Sequence, residues 1–247
     1  IINDVSPDLY KAYAVIRQEP EKLISKLTSL QSEYFNLEET DRKTFFLEKR
    51  EAFNHRNLDS LKNTTLFIFL NRTCFNGLYR VNSKGYFNVP FGKYTNPKIC
   101  DPVTIAANSK ILQKVTILNG DYSDTLEHVK NRNVCFYFDP PYQPLTKTSS
   151  VNSDAPDNFD DRDPGRFKTF CTETDRLGYY WLLSNSDPKN VDPSNEYFDR
   201  LYKEYQINRV LAKRNINSNS AKRGEIYELL ISNYKYAPDA EIVQGKT

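Results

Sequence analysis

The 247-residue chain contains no methionine, one tryptophan, two histidines, eight glycines and four cysteines. His55 and His128 lie far apart, and Cys74, Cys100, Cys135 and Cys171 show no C-x-x-C spacing, so neither a zinc centre nor a disulfide framework is expected and no metal site is assigned. Reduced thiols fit an intracellular protein. The longest apolar run, Leu66 to Leu70, falls far short of the roughly 18 residues that a membrane span needs. No charged-then-apolar segment opens the chain, so neither secretion nor a membrane partner is expected. Charge of one sign is also lacking: 34 basic and 32 acidic residues leave a net +2, and only local clusters could mark a nucleic-acid partner. An apolar Ile1-Ile2 opening without an initiator methionine predicts that the chain starts in mid-fold. What the chain does have is 38% hydrophobic residues, with 17 Tyr and 15 Phe, enough to build a folded core.

Residues 1–16 read as the end of a strand, a turn at Asn3-Asp4, and a helix capped near Ser6 with Pro7 in its first turn. From Glu19 to about Asn63, Leu23, Ile24, Leu27 and Leu30 recur at helical spacing. The segment from Thr64 to Tyr94 then mixes aromatics, Asn, Gly and Arg and reads as a loop loaded with chemistry. Short apolar runs follow at Val115 to Leu118, Val134 to Phe138, Tyr180 to Leu183, Ile207 to Leu211 and Ile226 to Ser232. With helical intervals at Arg162 to Leu177 and Asn195 to Tyr205, they predict an open α/β sheet. The first three runs end in Asn119-Gly120-Asp121, Asp139-Pro140-Pro141-Tyr142 and Ser184-Asn185-Ser186-Asp187; the carboxyl ends of such strands are where ligands bind.

Asp139-Pro140-Pro141-Tyr142 is the sharpest of these features. Two consecutive prolines lack N–H donors and fix φ, which stiffens the backbone and leaves its carbonyls outside any helix. A carboxylate, a rigid carbonyl and an aromatic face thus stand together. They suit a planar base with an exocyclic amine: Asp139 and the Pro140 carbonyl each accept one amine hydrogen while Tyr142 stacks on the ring.

Beside this tetrapeptide stand Ile2-Asn3-Asp4 with Pro7-Asp8-Leu9, the block Asn71 to Tyr94, Gly120-Asp121-Tyr122, Leu183 to Ser186, and Arg223 to Leu230. In this order they resemble the D12 class of adenine-specific DNA methyltransferases, the Dam-like N6-adenine methylases of restriction-modification systems and bacteriophages. The resemblance implies methyl transfer from S-adenosyl-L-methionine to the N6 of an adenine flipped out of double-stranded DNA. By this resemblance Asp139, Pro140, Pro141 and Tyr142 are catalytic, and Asp4, Asp121, Tyr122 and Asp139 face the cofactor. Asp4 would hold the ribose hydroxyls, since a carboxylate just past a strand end can accept two hydrogen bonds from a diol. The block from Asn71 to Tyr94 corresponds to the target-recognition segment. Arg72, Arg80, Lys84 and Lys93 would contact phosphate or guanine, Phe75 would wedge into the base stack beside Asn76, Leu78 and Pro90 would touch base edges, and Asn88 would also bind DNA. Arg214 and Lys222, in the basic run Lys213 to Arg223, are expected to contact phosphate, and the polar run Thr146 to Asp163 to cover the target base. The family's Gly-rich phenylalanine-glycine loop and the Lys-Trp segment before it would precede Ile1 and are not in this chain.

The expected architecture is a Rossmann-like methyltransferase α/β sheet with a helical, loop-rich recognition insertion. Residues 1–18 and 113–247 would form the catalytic domain and residues 19–112 the insertion, with an antiparallel final strand, as the resemblance implies. Expected partners are double-stranded DNA and, functionally, a cognate restriction endonuclease, in a bacterial or phage-encoded cytoplasmic protein. The chain would act as a monomer or weak dimer, and similarity of the recognition block to GATC-reading members suggests that target. Three alternatives stay open: N4-cytosine methylation, which the resemblance associates with Ser in place of Asp139, an RNA substrate, and a DNA-binding module without activity.

Overall fold

The computed structural model describes residues 1–130, 133–142, 163–213 and 225–235. The expected cover at Thr146 to Asp163 and the basic run with Arg214 and Lys222 therefore lie outside the described residues, apart from the helix-opening Asp163 and the strand-closing Lys213. Two compact units divide the chain, one of residues 1–130 and one of the described residues from 133 onward.

The first unit opens with strand β1 (Ile2–Asp4), followed by helices α1 (Pro7–Gln18), α2 (Pro20–Phe35), α3 (Glu39–Asn54), α4 (Ser60–Thr73) and α5 (Pro102–Leu112) and strand β2 (Ile117–Asn119). As the Ser6-Pro7 pair predicts, the Ser6 hydroxyl accepts from the Leu9 amide and Pro7 sits in the first turn. In α2 the buried positions are Leu23, Leu27, Leu30 and Tyr34, an i, i+4, i+7, i+11 stripe. In α4 they include Leu66, Phe69, Leu70 and Thr73. Tyr34, Phe45 and Phe69 meet edge to face with centroids 5.7–6.3 Å apart where tilted or perpendicular rings close the bundle core.

The loop expected from Thr64 therefore begins only at Cys74. Residues through Thr73 stay helical because Leu66, Phe69 and Leu70 fill the bundle core while Arg72 points to solvent. Helix α5 carries its own start signal, Asp101 accepting from the Thr104 amide with Pro102 at the first turn. Strand β1 pairs parallel with β2, Ile2 beside Ile117 and Asp4 beside Asn119.

The second unit is a four-stranded sheet in the order β3-β4-β6-β5, formed by β3 (Cys135–Phe138), β4 (Tyr180–Ser186), β5 (Gln206–Lys213) and β6 (Glu225–Ser232). Strands β3 and β4 are parallel, and β6 runs antiparallel to both β4 and β5, as the resemblance implies. Helix α6 (Asp163–Arg176) packs Phe167 and Phe170 against Phe136 and Phe138. The helix expected over Asn195 to Tyr205 shortens to α7 (Tyr197–Leu201). Beyond it the chain turns, so that Tyr202 and Tyr205 pack against the ring of fully buried Trp181.

Candidate active site and DNA interface

The functional side chains fall into both units. In the second unit, the pairing of Phe138 with Leu183 brings the next two residues, Asp139 and Ser184, side by side at the carboxyl ends of neighbouring parallel strands. The Ser184 hydroxyl lies 3.0 Å from Asp139 Oδ1 and 3.4 Å from the Phe138 carbonyl, and Tyr137 donates to it at 3.2 Å. Asp139 is exposed, and among the described residues nothing donates to its Oδ2 or to the Pro140 carbonyl. Tyr142 is 40% exposed. Partial burial and the charges of Glu228 and Asp139 raise its phenol above the ordinary value, against a hydrogen bond with Ser184 that lowers it. The tetrapeptide thus presents free acceptors and a neutral aromatic face on a turn anchored from below.

The rest of the β4 end is tied down. Asp187, only 2% exposed, accepts from Arg209 Nε at 2.7 Å, and Arg209 also reaches Asp199 at 2.8 Å, which Lys189 meets at 3.0 Å. Asn190 donates to the Asp187 and Tyr227 carbonyls and accepts from the Tyr227 amide, locking the turn to β6. The basic residue Arg209 could not be placed here from the sequence, because its partners are 22 and 10 residues away.

In the first unit, the ends of β1 and β2 clasp one another. Asn3 donates to the Gly120 and Asp121 carbonyls, and Asn119 donates to the Asp4 carbonyl at 2.8 Å. Asp4 spends Oδ1 on the Ser6 amide at 2.7 Å. Asp121 caps the 3₁₀ turn Tyr122–His128 through the Ser123 amide and hydroxyl. The buried Asn3 Oδ1 has no partner there, an acceptor left over at the same strand end as Asp4.

Residues 74–94 form an arm whose frame is distinct from the side chains it displays. Cys74 bridges Phe91, Val81 bridges Phe87, and the Asn82 side chain accepts from the Lys84 and Tyr86 amides to close the tip. Phe87, Val89 and Cys74 join the buried core. By contrast Arg72, Phe75, Leu78, Arg80, Lys84, Pro90 and Lys93 are exposed, and Asn76 and Asn88 half-buried. Phe75 is 42% exposed, so its ring stands out of the core. Arg80 Nε donates to Asn88 Oδ1 at 2.7 Å, which fixes the guanidinium. Asn76 holds φ 55°, and its amide donates to the Tyr94 hydroxyl at 3.0 Å. Gly92 is required: a Cβ there would stand 2.5 Å from the Cys74 carbonyl.

Sequence reasoning named Asp8 only as part of a shared motif. In the structure it is 3% exposed and accepts from Arg56 at 2.6 Å, Tyr79 at 2.7 Å and Asn63 at 3.2 Å. Arg56 in turn donates to the Gly85 carbonyl at the tip of the arm. Burial pushes the Asp8 carboxyl up, but the hydrogen bonds of Tyr79, Arg56 and Asn63 and the Arg56 charge outweigh it and hold the group below its ordinary value. An acidic residue beside Pro at a helix start was the available signal; its burial was not.

An acceptor turn at a parallel strand end, joined in sequence to an arm displaying arginine and aromatic side chains, is the equipment of an α/β enzyme that works on a nucleic-acid base. The profile of the D12 class of N6 adenine-specific DNA methyltransferases matches residues 1–216. A type II methyltransferase, M.MjaIII of Methanocaldococcus jannaschii, is 45% identical over 237 residues, covering 95% of this chain and 80% of that protein. M1.LlaDCHI of Lactococcus lactis, also a type II methyltransferase, is 33% identical over 95% of this chain and 79% of its own length. A DNA adenine methylase of Vibrio cholerae is 32% identical over 93% and 78%. The chain belongs to the D12 class of N6 adenine-specific DNA methyltransferases. The mixed α/β architecture described above is consistent with the fold of that class. Among the described residues no helix is long and apolar enough to cross a membrane.

Proposed function

We propose that this chain transfers a methyl group from S-adenosyl-L-methionine to the exocyclic N6 of an adenine flipped out of a short double-stranded DNA sequence, with GATC as the first sequence to test. The observation that carries the reading is the anchored tetrapeptide, in which Asp139 Oδ2 and the Pro140 carbonyl are unused by any described donor. Asp139 and the Pro140 carbonyl each accept one N6 hydrogen, which draws the nitrogen lone pair out of conjugation with the ring, and Tyr142 stacks on the base. The cofactor, when bound, supplies an electrophilic methyl on a sulfonium centre.

Asp4 and the Asp121-Tyr122 element would hold the cofactor. The spare Asp4 carboxylate oxygen and the unpartnered Asn3 acceptor suit a hydroxyl-bearing ligand. Holding donor and acceptor in line can contribute up to about 7–11 kcal/mol of barrier lowering. On the DNA side, Arg80 would read guanine, Phe75 fill the gap left by the flipped base, and Arg72, Lys93, Arg214 and Lys222 contact phosphate, with Asn76, Leu78, Asn88 and Pro90 along base edges. The type II names of the relatives support a restriction-modification role beside a cognate endonuclease, and a DNA substrate supports a cytoplasmic site of action.

Tritium transfer from labelled S-adenosyl-L-methionine into a DNA library, by the full protein and its Asp139→Ala variant, tests the reading. Label on adenine N6 at one short motif, lost in the variant, is expected. Label on cytosine N4 overturns the substrate, and salt-sensitive DNA binding without label leaves a recognition module.

A further inference from the structure

We propose that Ser184 is a positioning residue for methyl transfer, orienting the Asp139 carboxylate and the Tyr142 phenol so that one carboxylate oxygen stays free for the target amine; this rests on the reading of Asp139 given above. Ser184 is 3% exposed and lies on the strand beside β3 at the register step next to Asp139. A serine hydroxyl has one hydrogen to give and two lone pairs to receive. Here its hydrogen goes to Asp139 Oδ1 at 3.0 Å, in preference to the neutral Phe138 carbonyl at 3.4 Å, because the charged acceptor makes the stronger bond.

A lone pair receives the Tyr137 hydroxyl at 3.2 Å, and the Tyr142 phenol also hydrogen-bonds with Ser184. The hydroxyl is thereby committed to groups of the 137–142 turn. The carboxylate is pinned by Oδ1, which directs Oδ2 outward. Alanine at this position would leave Asp139 free to rotate and Tyr142 without its tether, with the fold of the buried strand intact.

Ser184→Ala, Ser184→Thr and Asp139→Ala are compared with the parent in steady-state and single-turnover methylation of a duplex carrying the target site, with thermal unfolding to confirm folded protein. In Ser184→Ala, kcat is expected to fall about 10- to 100-fold, the span of one hydrogen bond to a charged group, with KM for DNA and cofactor within about twofold. Ser184→Thr, which keeps the hydroxyl, restores most of the rate. A folded Ser184→Ala with unchanged kcat, or a folded Ser184→Thr as slow as Ser184→Ala, overturns the inference while Asp139→Ala remains inactive. Full activity of Asp139→Ala overturns instead the reading on which it rests.

Discussion

Replacing Asp8 by Asn tests the buried network between α1 and the recognition arm. The substitution keeps the shape but removes the charge that Arg56, Tyr79 and Asn63 surround at 2.6, 2.7 and 3.2 Å. Removing one member of a buried ion pair costs about 3–5 kcal/mol. The Arg56 side chain is 30% exposed and can be partly rehydrated, and the Asn carbonyl still accepts one bond, so the lower end, about 3 kcal/mol, is expected. At about 2–4 °C per kcal/mol for a chain of this size, Tm falls by roughly 6–12 °C. The pH dependence follows from the depressed carboxyl. A group whose folded pKa lies below its unfolded one contributes stability above the unfolded value and loses it as pH falls through the folded value. The gap between parent and variant is therefore full at pH 7 and closes below the ordinary value of 3.8. Urea unfolding at pH 7 and pH 3 measures both quantities, and a cycle with Arg56→Met isolates a coupling of about 2 kcal/mol. A gap under about 1 kcal/mol at pH 7, or one equally large at pH 3, would refute the reasoning.

Arg209→Met leaves the 2%-exposed Asp187 without its cation, and thermal unfolding should show a loss of about 3 kcal/mol, partly recovered in the double variant with Asp187→Asn; no recovery would count against the pairing. The four free thiols should separate on labelling at pH 8: Cys135 is exposed, whereas Cys74, Cys100 and Cys171 are buried. Burial pushes Cys74 up to about 11 and Cys171 up to about 12. A thiol-reactive dye should take one equivalent quickly and the remaining three only in denaturant; two or more fast equivalents would contradict the burial pattern.

Local patterns carried much of the fold. The Ser6-Pro7 start of α1, the strand runs and the acceptor turn after β3 all appear where short-range chemistry places them. The recognition arm was legible as a chemically loaded stretch, but its division into frame and display was not. Phe87 and Phe75 are both phenylalanine, and only the packing of Phe87 against Phe53 and Tyr79 separates the buried ring from the exposed one. Asp8 with Arg56, Ser184 with Asp139 and Arg209 with Asp187 join residues 48, 45 and 22 positions apart. No periodicity encodes such pairings, because each is made by the register of strands or the meeting of helices. The helix expected over Asn195 to Tyr205 failed for a related reason: tyrosine has no strong local preference against a helix, and the buried indole of Trp181 decided where the chain turned.

The 74–94 arm is fastened through its main chain as well as through the buried side chains of its frame. Asn54 brackets Phe87 through both the amide and the carbonyl, Arg50 and Arg56 donate to the carbonyls of Val89 and Gly85, and the Phe75 and Gly92 amides donate to the carbonyls of Pro90 and Thr73. Peptide groups are the same whatever side chain they carry, so substitutions at the displayed positions leave these fastenings in place. The displayed side chains can therefore be exchanged one at a time without loosening these main-chain fastenings. The helices that hold the arm act as a fixed handle, and the handle is indifferent to which side chains are displayed.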